Sequence, residues 1–270
     1  MFVEAAEGLA AAASVYGERH VILAAFRKIG IYLIRGNTNV AVFGPGGTGK
    51  STLGLFMNGN LESDSPAKSY QETISNAEFR PDGDIPGKVI VPPGQDRRRP
   101  GNWDELFSQI TSGDITRVIH IVSWGHHSTM LERSRLDSFG TTSPAFETAY
   151  LEDGRNREIE SLRQIVPHLK SAPGRLHMLT VVLKQDLWWN DRLTVRDYYE
   201  SGSYADLLQE IRDYKGTSHF HHDTVSAALV QQNLKTADGF NIASTTAGYD
   251  DLLRTGNLGG LVAAIRDLIQ

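Results

Sequence analysis

The 270-residue sequence predicts an α/β fold: a mostly parallel central sheet with helices on both faces and one antiparallel edge hairpin. Three observations carry this. Continuous apolar runs of strand length recur along the chain. Stretches of helical periodicity separate them. A glycine-rich turn joins the first run to the first helix.

The elements follow in order. Residues 39–43 (Asn-Val-Ala-Val-Phe) read as a short strand buried on both faces. Residues 51–57 after the glycine turn begin a helix. Residues 74–80 and 88–91 flank Pro81-Asp82-Gly83-Asp84-Ile85-Pro86-Gly87, a turn-rich segment that suits a hairpin. Residues 103–111 are helical. Residues 117–123 (Arg-Val-Ile-His-Ile-Val-Ser) form a second core strand, and residues 125–142 are polar enough to be an exposed loop. Over residues 147–169, Ile159, Leu162, Ile165, Val166 and Leu169 share one helical face. Residues 176–183 (Leu-His-Met-Leu-Thr-Val-Val-Leu) are a third core strand. Residues 204–214 are helical, residues 240–244 a last strand, and residues 258–269 a closing helix. An extra strand over 224–230 is expected antiparallel to 240–244, at the sheet edge. Residues 1–35 read as a separate helical segment and residues 36–270 as the domain.

The glycine turn carries the chemistry. Gly44-Pro45-Gly46-Gly47-Thr48-Gly49-Lys50-Ser51 fits G-x-x-x-x-G-K-[ST], the phosphate-binding P-loop. Backbone N–H groups in such a loop wrap the α- and β-phosphates, the lysine reaches the β and γ oxygens, and the final hydroxyl ligates Mg²⁺. Strand, loop and helix N-terminus are the required context, because the helix dipole and its free N–H groups face the anion. Gly44, Gly46, Gly47, Thr48, Gly49, Lys50, Ser51 and Thr52 are the expected phosphate contacts.

Composition narrows the class. A net charge of −5 gives no electrostatic footprint for nucleic acid. The absence of cysteine excludes disulfides, thiolate metal sites and cysteine nucleophiles, and fits a reducing, cytoplasmic setting. The alanine-rich N-terminus carries Glu4 and Glu7 and no early basic residue, so it is a poor secretory signal. The apolar run from 21 to 34 is broken by Arg27 and Lys28 and is too short to span a bilayer; a membrane-surface helix is the minor alternative. His126-His127 and His219, His221 and His222 are conspicuous, but adjacent histidines point apart and no second ligand set accompanies them.

The order and spacing of the motifs resemble a P-loop GTPase of the Ras/Arf-like class, over residues 38–270. Lys184-Gln185-Asp186, at the end of the third core strand, resembles the family's [NT]-K-x-D, with Leu183 at its first position. The resemblance implies that the Lys184 stem packs on guanine and that Asp186 accepts hydrogen bonds from guanine N1 and N2. Thr73, just before the hairpin, resembles the switch threonine that joins Ser51 on Mg²⁺. Val91-Pro92-Pro93-Gly94-Gln95 resembles D-x-x-G-Q. Gly94 would meet the γ-phosphate and Gln95 would orient the attacking water, but Val91 stands where the family has the magnesium-supporting aspartate. A competing match, Asp84-Ile85-Pro86-Gly87, lacks a preceding strand. For the fifth motif, loosely S-A-K, Ser244-Thr245 fits by predicted topology and Ser226-Ala227-Ala228 fits better by letters; topology favours Ser244. The resemblance implies binding of GTP/GDP with Mg²⁺, hydrolysis at Lys50, Thr73 and Gln95, and a switch read by a protein effector or regulator. Two alternatives stand beside it: a pseudo-GTPase that binds without turnover, and a P-loop ATPase or kinase.

Overall fold

The computed structural model describes residues 24, 39–57, 77–79, 89–91, 99–128 and 143–269. Its centre is a six-stranded sheet of order β2-β3-β1-β4-β5-β6. The strands are β1 (Val40–Phe43), β2 (Ala77–Phe79), β3 (Val89–Val91), β4 (Arg117–Val122), β5 (Leu176–Val182) and β6 (Phe220–Ser226). All neighbours pair in parallel except β2, which runs antiparallel to β3 with Ala77 opposite Val91. The predicted mostly parallel sheet with an antiparallel edge hairpin is therefore the observed one. The hairpin turn, residues 1–35 apart from Ala24, and the competing Asp84 motif lie outside the described residues.

Strand period sorts the apolar runs onto two faces. Val40 and Val42, Ile119 and Ile121, Leu179 and Val181 face α1 (Lys50–Met57) and the last helix, α7 (Asp251–Ile269), through Leu53, Phe56, Leu258, Leu261 and Ile265. Ala41 and Phe43, Val118 and Val122, Met178 and Val182 face the other way. They pack on α2 (Arg99–Ser112), α3 (Ser143–Ser171), α5 (Arg192–Ser201) and α6 (Ser203–Lys215). On that face His120 stacks on Phe43 at 4.3 Å and its ring nitrogens meet Tyr204 Oη at 2.6 Å and Ser161 Oγ at 2.8 Å. A buried imidazole is tolerated because both nitrogens are satisfied.

The structure corrects the strand order near the C-terminus. Residues 220–226 are the sixth core strand, parallel to β5 in register from Leu176↔Phe220 to Val182↔Ser226. The predicted partner, β8 (Asn241–Ala243), instead pairs antiparallel with β7 (Leu234–Lys235) in a separate two-stranded sheet. That small sheet sits on its own apolar cluster of Phe146, Tyr150, Leu187, Leu234 and Ile242. The physical reason is position. An edge strand has one neighbour and keeps charged and polar residues, so Phe-His-His-Asp-Thr-Val-Ser lacks the apolar continuity that marks β1, β4 and β5. The predicted exposed loop after β4 also fails over its described start: Gly125, His126 and His127 are buried.

Candidate functional site

The strand order reverses direction at β1, whose neighbours β3 and β4 follow it in sequence on opposite sides. In open parallel sheets the crevice beyond the carboxyl ends at such a point is where ligands bind. The P-loop occupies it. Phe43 ends β1 in the core, and the chain leaves through Gly44 at φ 140°, where an added Cβ would lie 2.2 Å from the Ile121 carbonyl oxygen. Gly47, at φ 80°, leaves no more room: its Cβ would lie 2.2 Å from the Ser128 carbonyl oxygen. Only glycine admits both the left-handed backbone and the close approach.

The loop opens directly into α1 at Lys50. Thr48 Oγ1 donates to the Pro45 carbonyl at 3.0 Å. The buried Lys50 ammonium donates to the carbonyls of Gly44 at 2.9 Å and Pro45 at 2.7 Å, so its head lies within the loop. Ser51 is exposed on the first turn of α1 and Thr52 is half-buried. A helix N-terminus, a lysine head and a hydroxyl thus converge at one end of β1.

Lys184 and Asp186 come to the same end from β5. Lys184 is in the left-handed region (φ 59°, ψ 38°), which turns the chain from β5 into the short helix α4 (Gln185–Trp188). Its ammonium bridges to the P-loop, donating to Gly47 O at 2.8 Å, His126 O at 2.5 Å and Ser128 Oγ at 2.8 Å. Burial lowers its pKa to about 7, against the attraction of Asp186 and Glu158. Asp186 is buried. Its Oδ2 accepts the Gln232 N–H at 3.0 Å, and its Oδ1, also buried, has no hydrogen-bond partner among the described residues. Burial raises its pKa to about 6, with the Gln232 N–H, its own backbone N–H, Lys184 and Arg254 pulling the other way.

The segments after β6 and β8 converge on this motif. Gln185 Nε2 donates to Ser226 Oγ at 2.9 Å, and the Gln185 N–H donates to the Ala227 carbonyl at 3.3 Å. Thr246 donates to the Asp186 carbonyl twice, from its N–H at 2.7 Å and its hydroxyl at 2.9 Å. Tyr249 Oη donates to Gln185 Oε1 at 3.2 Å. Ser226 therefore stands at the carboxyl end of the last core strand, the position that the predicted topology gave to Ser244. Ser244 is exposed and accepts from Asn241 Nδ2 at 2.6 Å, and the Thr245 N–H donates to Asn233 Oδ1 at 3.0 Å. It is their neighbour Thr246 that touches Asp186. Thr73, Gly94 and Gln95 lie outside the described residues, while Val91 ends β3.

Sequence reasoning missed Ser128, Glu158, Gln232 and Thr246. Only Ser226 left a legible signal, the letters Ser-Ala-Ala. Glu158, fully buried on α3, gathers four donors on one carboxylate. Oε1 accepts from the backbone N–H of Ser123 (2.9 Å) and Gly125 (3.0 Å) and from His127 Nε2 (3.0 Å); Oε2 accepts from Tyr199 Oη (2.6 Å). Burial pushes its pKa up, but these donors outweigh burial and hold it below the usual carboxylate range. His126 and His127 are thus structural imidazoles kept neutral by burial, the former with a pKa lowered to about 3. His222 meets Thr180 Oγ1 at 2.9 Å and His221 pairs with Asp223 at 2.8 Å. Among the described residues no cluster of three or more acidic, histidine or cysteine side chains could hold a metal ion, and no helix is long and apolar enough to cross a membrane.

No family model and no curated protein sequence matches the chain. Comparison with solved structures finds low-identity likenesses. A dimerization-deficient mutant of Toc33 from Arabidopsis thaliana is 13% identical, with 93% of each chain covered and a TM-score of 0.43. The signal recognition particle receptor SRb-GTP/SRX complex from Chaetomium thermophilum is 13% identical over 71% of this chain and 93% of that one, with a TM-score of 0.41. The ADP-ribosylation-factor-like small COPII coat GTPase SAR1 from Encephalitozoon cuniculi, solved with GDP, is 13% identical over 92% and 88%, with a TM-score of 0.37. At these scores the likeness lends nothing to the site's chemistry, which rests on the chain's own residues.

Proposed function

We propose that this chain is a guanine-nucleotide-binding protein whose reaction is attack of water on the GTP γ-phosphate. The phosphates would lie on the backbone N–H groups of residues 46–51, against Lys50, and the base against Lys184 and Asp186. One observation carries the base assignment: the buried Oδ1 of Asp186, which has no hydrogen-bond partner among the described residues. A buried carboxylate oxygen without a donor costs free energy, and a ligand that brings donors recovers it. Guanine presents N1–H and an exocyclic amine on one edge, two donors for one carboxylate. Adenine presents an acceptor at N1, which repels it. Binding would draw Asp186 away from the Gln232 N–H and give both oxygens to the base.

Ser51 and Thr73 would hold Mg²⁺, which when bound neutralises charge on the β- and γ-phosphates. Such sites normally also use a carboxylate. The end of β3 supplies Val91 instead, so the nucleotide's own phosphates would carry most of the coordination. Gln95 would orient the attacking water, and ordering of the Thr73 and Gln95 segments by the γ-phosphate would present a surface to a protein effector or regulator.

Val91 also favours a second reading, in which the chain holds guanine nucleotide as a structural or sensing element with negligible turnover. Calorimetric titration with GTP, GDP and ATP analogues, with and without Mg²⁺, tests the binding claim. Equal affinity for GTP and ATP would sink it. Single-turnover phosphate release, with Gln95→Ala as control, separates the two readings. Release that is unmeasurable, or equal in wild type and Q95A, rejects Gln95 catalysis.

A further inference from the structure

The motif that holds Lys184 has lost a part. Leu183 stands where a polar side chain would bridge to the P-loop, and an apolar leucine can only pack there; a Cβ on Gly49 would meet Leu183 Cδ1 at 2.9 Å. Yet Lys184 is firmly held, and the other acceptors come from one segment, Ser123 to Ser128, which follows β4. The Ser128 N–H donates to Gly47 O at 2.9 Å, while Ser128 Oγ and His126 O join Gly47 O in accepting from the Lys184 ammonium. One segment thus ties the phosphate loop and the base motif together.

That segment is pinned from the other side. Three of the four donors to Glu158 belong to it: Ser123 N–H, Gly125 N–H and His127 Nε2. The fourth, Tyr199 Oη, accepts in turn from the Trp124 N–H at 3.0 Å, and Tyr150 Oη donates to His127 O at 2.5 Å. A fully buried carboxylate is an expensive way to hold a loop, and apolar packing often does as well for stability. It does, however, fix where backbone donors and acceptors point.

We propose that Glu158 and Ser128 are positioning residues for the nucleotide's base: through the Ser123–Ser128 segment they hold Lys184 against Gly47, in place of the side-chain bridge that Leu183 cannot make. This rests on the guanine-nucleotide reading. Neither residue touches the ligand; their effect passes through Lys184. Loss of either should therefore cost base recognition more than phosphate binding.

The test uses the full chain and fluorescent GDP and ADP analogues, reading dissociation rates and the GDP/ADP affinity ratio. Glu158→Gln keeps the shape but sets an amide against donors. It should raise the GDP off-rate roughly tenfold and shrink the GDP/ADP ratio, with ADP nearly unchanged. Ser128→Ala removes one acceptor from Lys184 and should raise the GDP off-rate about three- to tenfold, with Ser128→Thr restoring it. A folded E158Q or S128A with wild-type GDP kinetics and selectivity overturns the proposal, as does an S128A off-rate raised equally for GDP and ADP. Should E158Q fail to fold, the S128A and S128T pair decides. Wild-type chain that binds no guanine nucleotide would instead sink the underlying reading, and is seen before any variant is made.

Discussion

The two halves of the site are built in opposite ways. The phosphate half, Gly44 to Ser51, is one contiguous turn whose ligand groups are mostly backbone N–H groups and whose motif is complete. The base half gathers Lys184 and Asp186 from the turn and short helix after β5, Ser226 from β6, and Gln232 and Thr246 from two loops, and its motif is incomplete at Leu183. A backbone site tolerates drift in its surroundings because strand, glycines and helix dipole are local. A side-chain site assembled from distant segments depends on every loop that closes on it. In the proposed reading the complete half would give general affinity for phosphates, and the assembled half is where specificity would be won or lost.

The sharpest break between the halves is Lys50→Ala. It should weaken GDP and ADP alike, by on the order of 100-fold or more, because a charged contact to the phosphates is lost whichever base is present. Selective loss for one base, read by calorimetry, would show that Lys50 does not serve the phosphate half. Asp186→Ala should act on the other half alone. GDP affinity should fall about 30- to 100-fold, two charge-assisted hydrogen bonds being lost, while ADP affinity holds or rises. Parallel losses for both nucleotides would refute base reading by this carboxylate.

The pH dependence sharpens the same contrast. Asp186 must be ionised to accept two hydrogen bonds from guanine, and its pKa is raised to about 6. GDP affinity should therefore drop roughly tenfold from pH 7 to pH 5, with ADP much flatter and Asp186→Asn removing the slope. For the chain without nucleotide the sign differs. The folded state keeps a proton on Asp186 that the unfolded chain releases above its ordinary value of 3.8, so stability falls as pH rises from about 4 to 6. Lys184 works oppositely: its lowered pKa of about 7 makes stability rise as pH climbs from there toward 10.5. Thermal melts across pH 4–10 for wild type, D186N and Lys184→Met check both signs.

The smallest effect separates two serines. Ser226→Ala removes a buried hydrogen bond to Gln185, beside Asp186, and should cost about 1 kcal/mol of stability with a two- to fivefold loss of GDP affinity. Ser244→Ala, at an exposed site, should change neither beyond about 0.5 kcal/mol. The reverse order in paired melts and titrations would return the fifth motif to Ser244.

Much of the fold was legible because its signals are local or periodic. The β1–P-loop–α1 unit reads directly, since each part is contiguous and chemically constrained. β4 and β5 read from apolar continuity, and α3 from the face shared by Ile159, Leu162, Ile165, Val166 and Leu169. β6 did not read, because an edge strand written Phe-His-His-Asp has no continuous apolar run, and this put Ser244, where the structure has Ser226, at the end of the last core strand. The buried state of His127 was hidden for a similar reason: its partners Glu158 and Tyr150 lie on α3, 31 and 23 residues away in sequence.

The sequence by itself determined a glycine loop that fits the P-loop pattern, the sheet that carries it and the placement of Lys184 and Asp186 at a strand end. Those depend on near neighbours and on period, which a chain states openly. Only the tertiary structure decided what closes on Asp186, what holds Lys184 in place of a side chain at Leu183, and which serine ends the last core strand. These depend on which loops meet at the carboxyl edge of the sheet, and that is set by strand order, not by spacing along the chain.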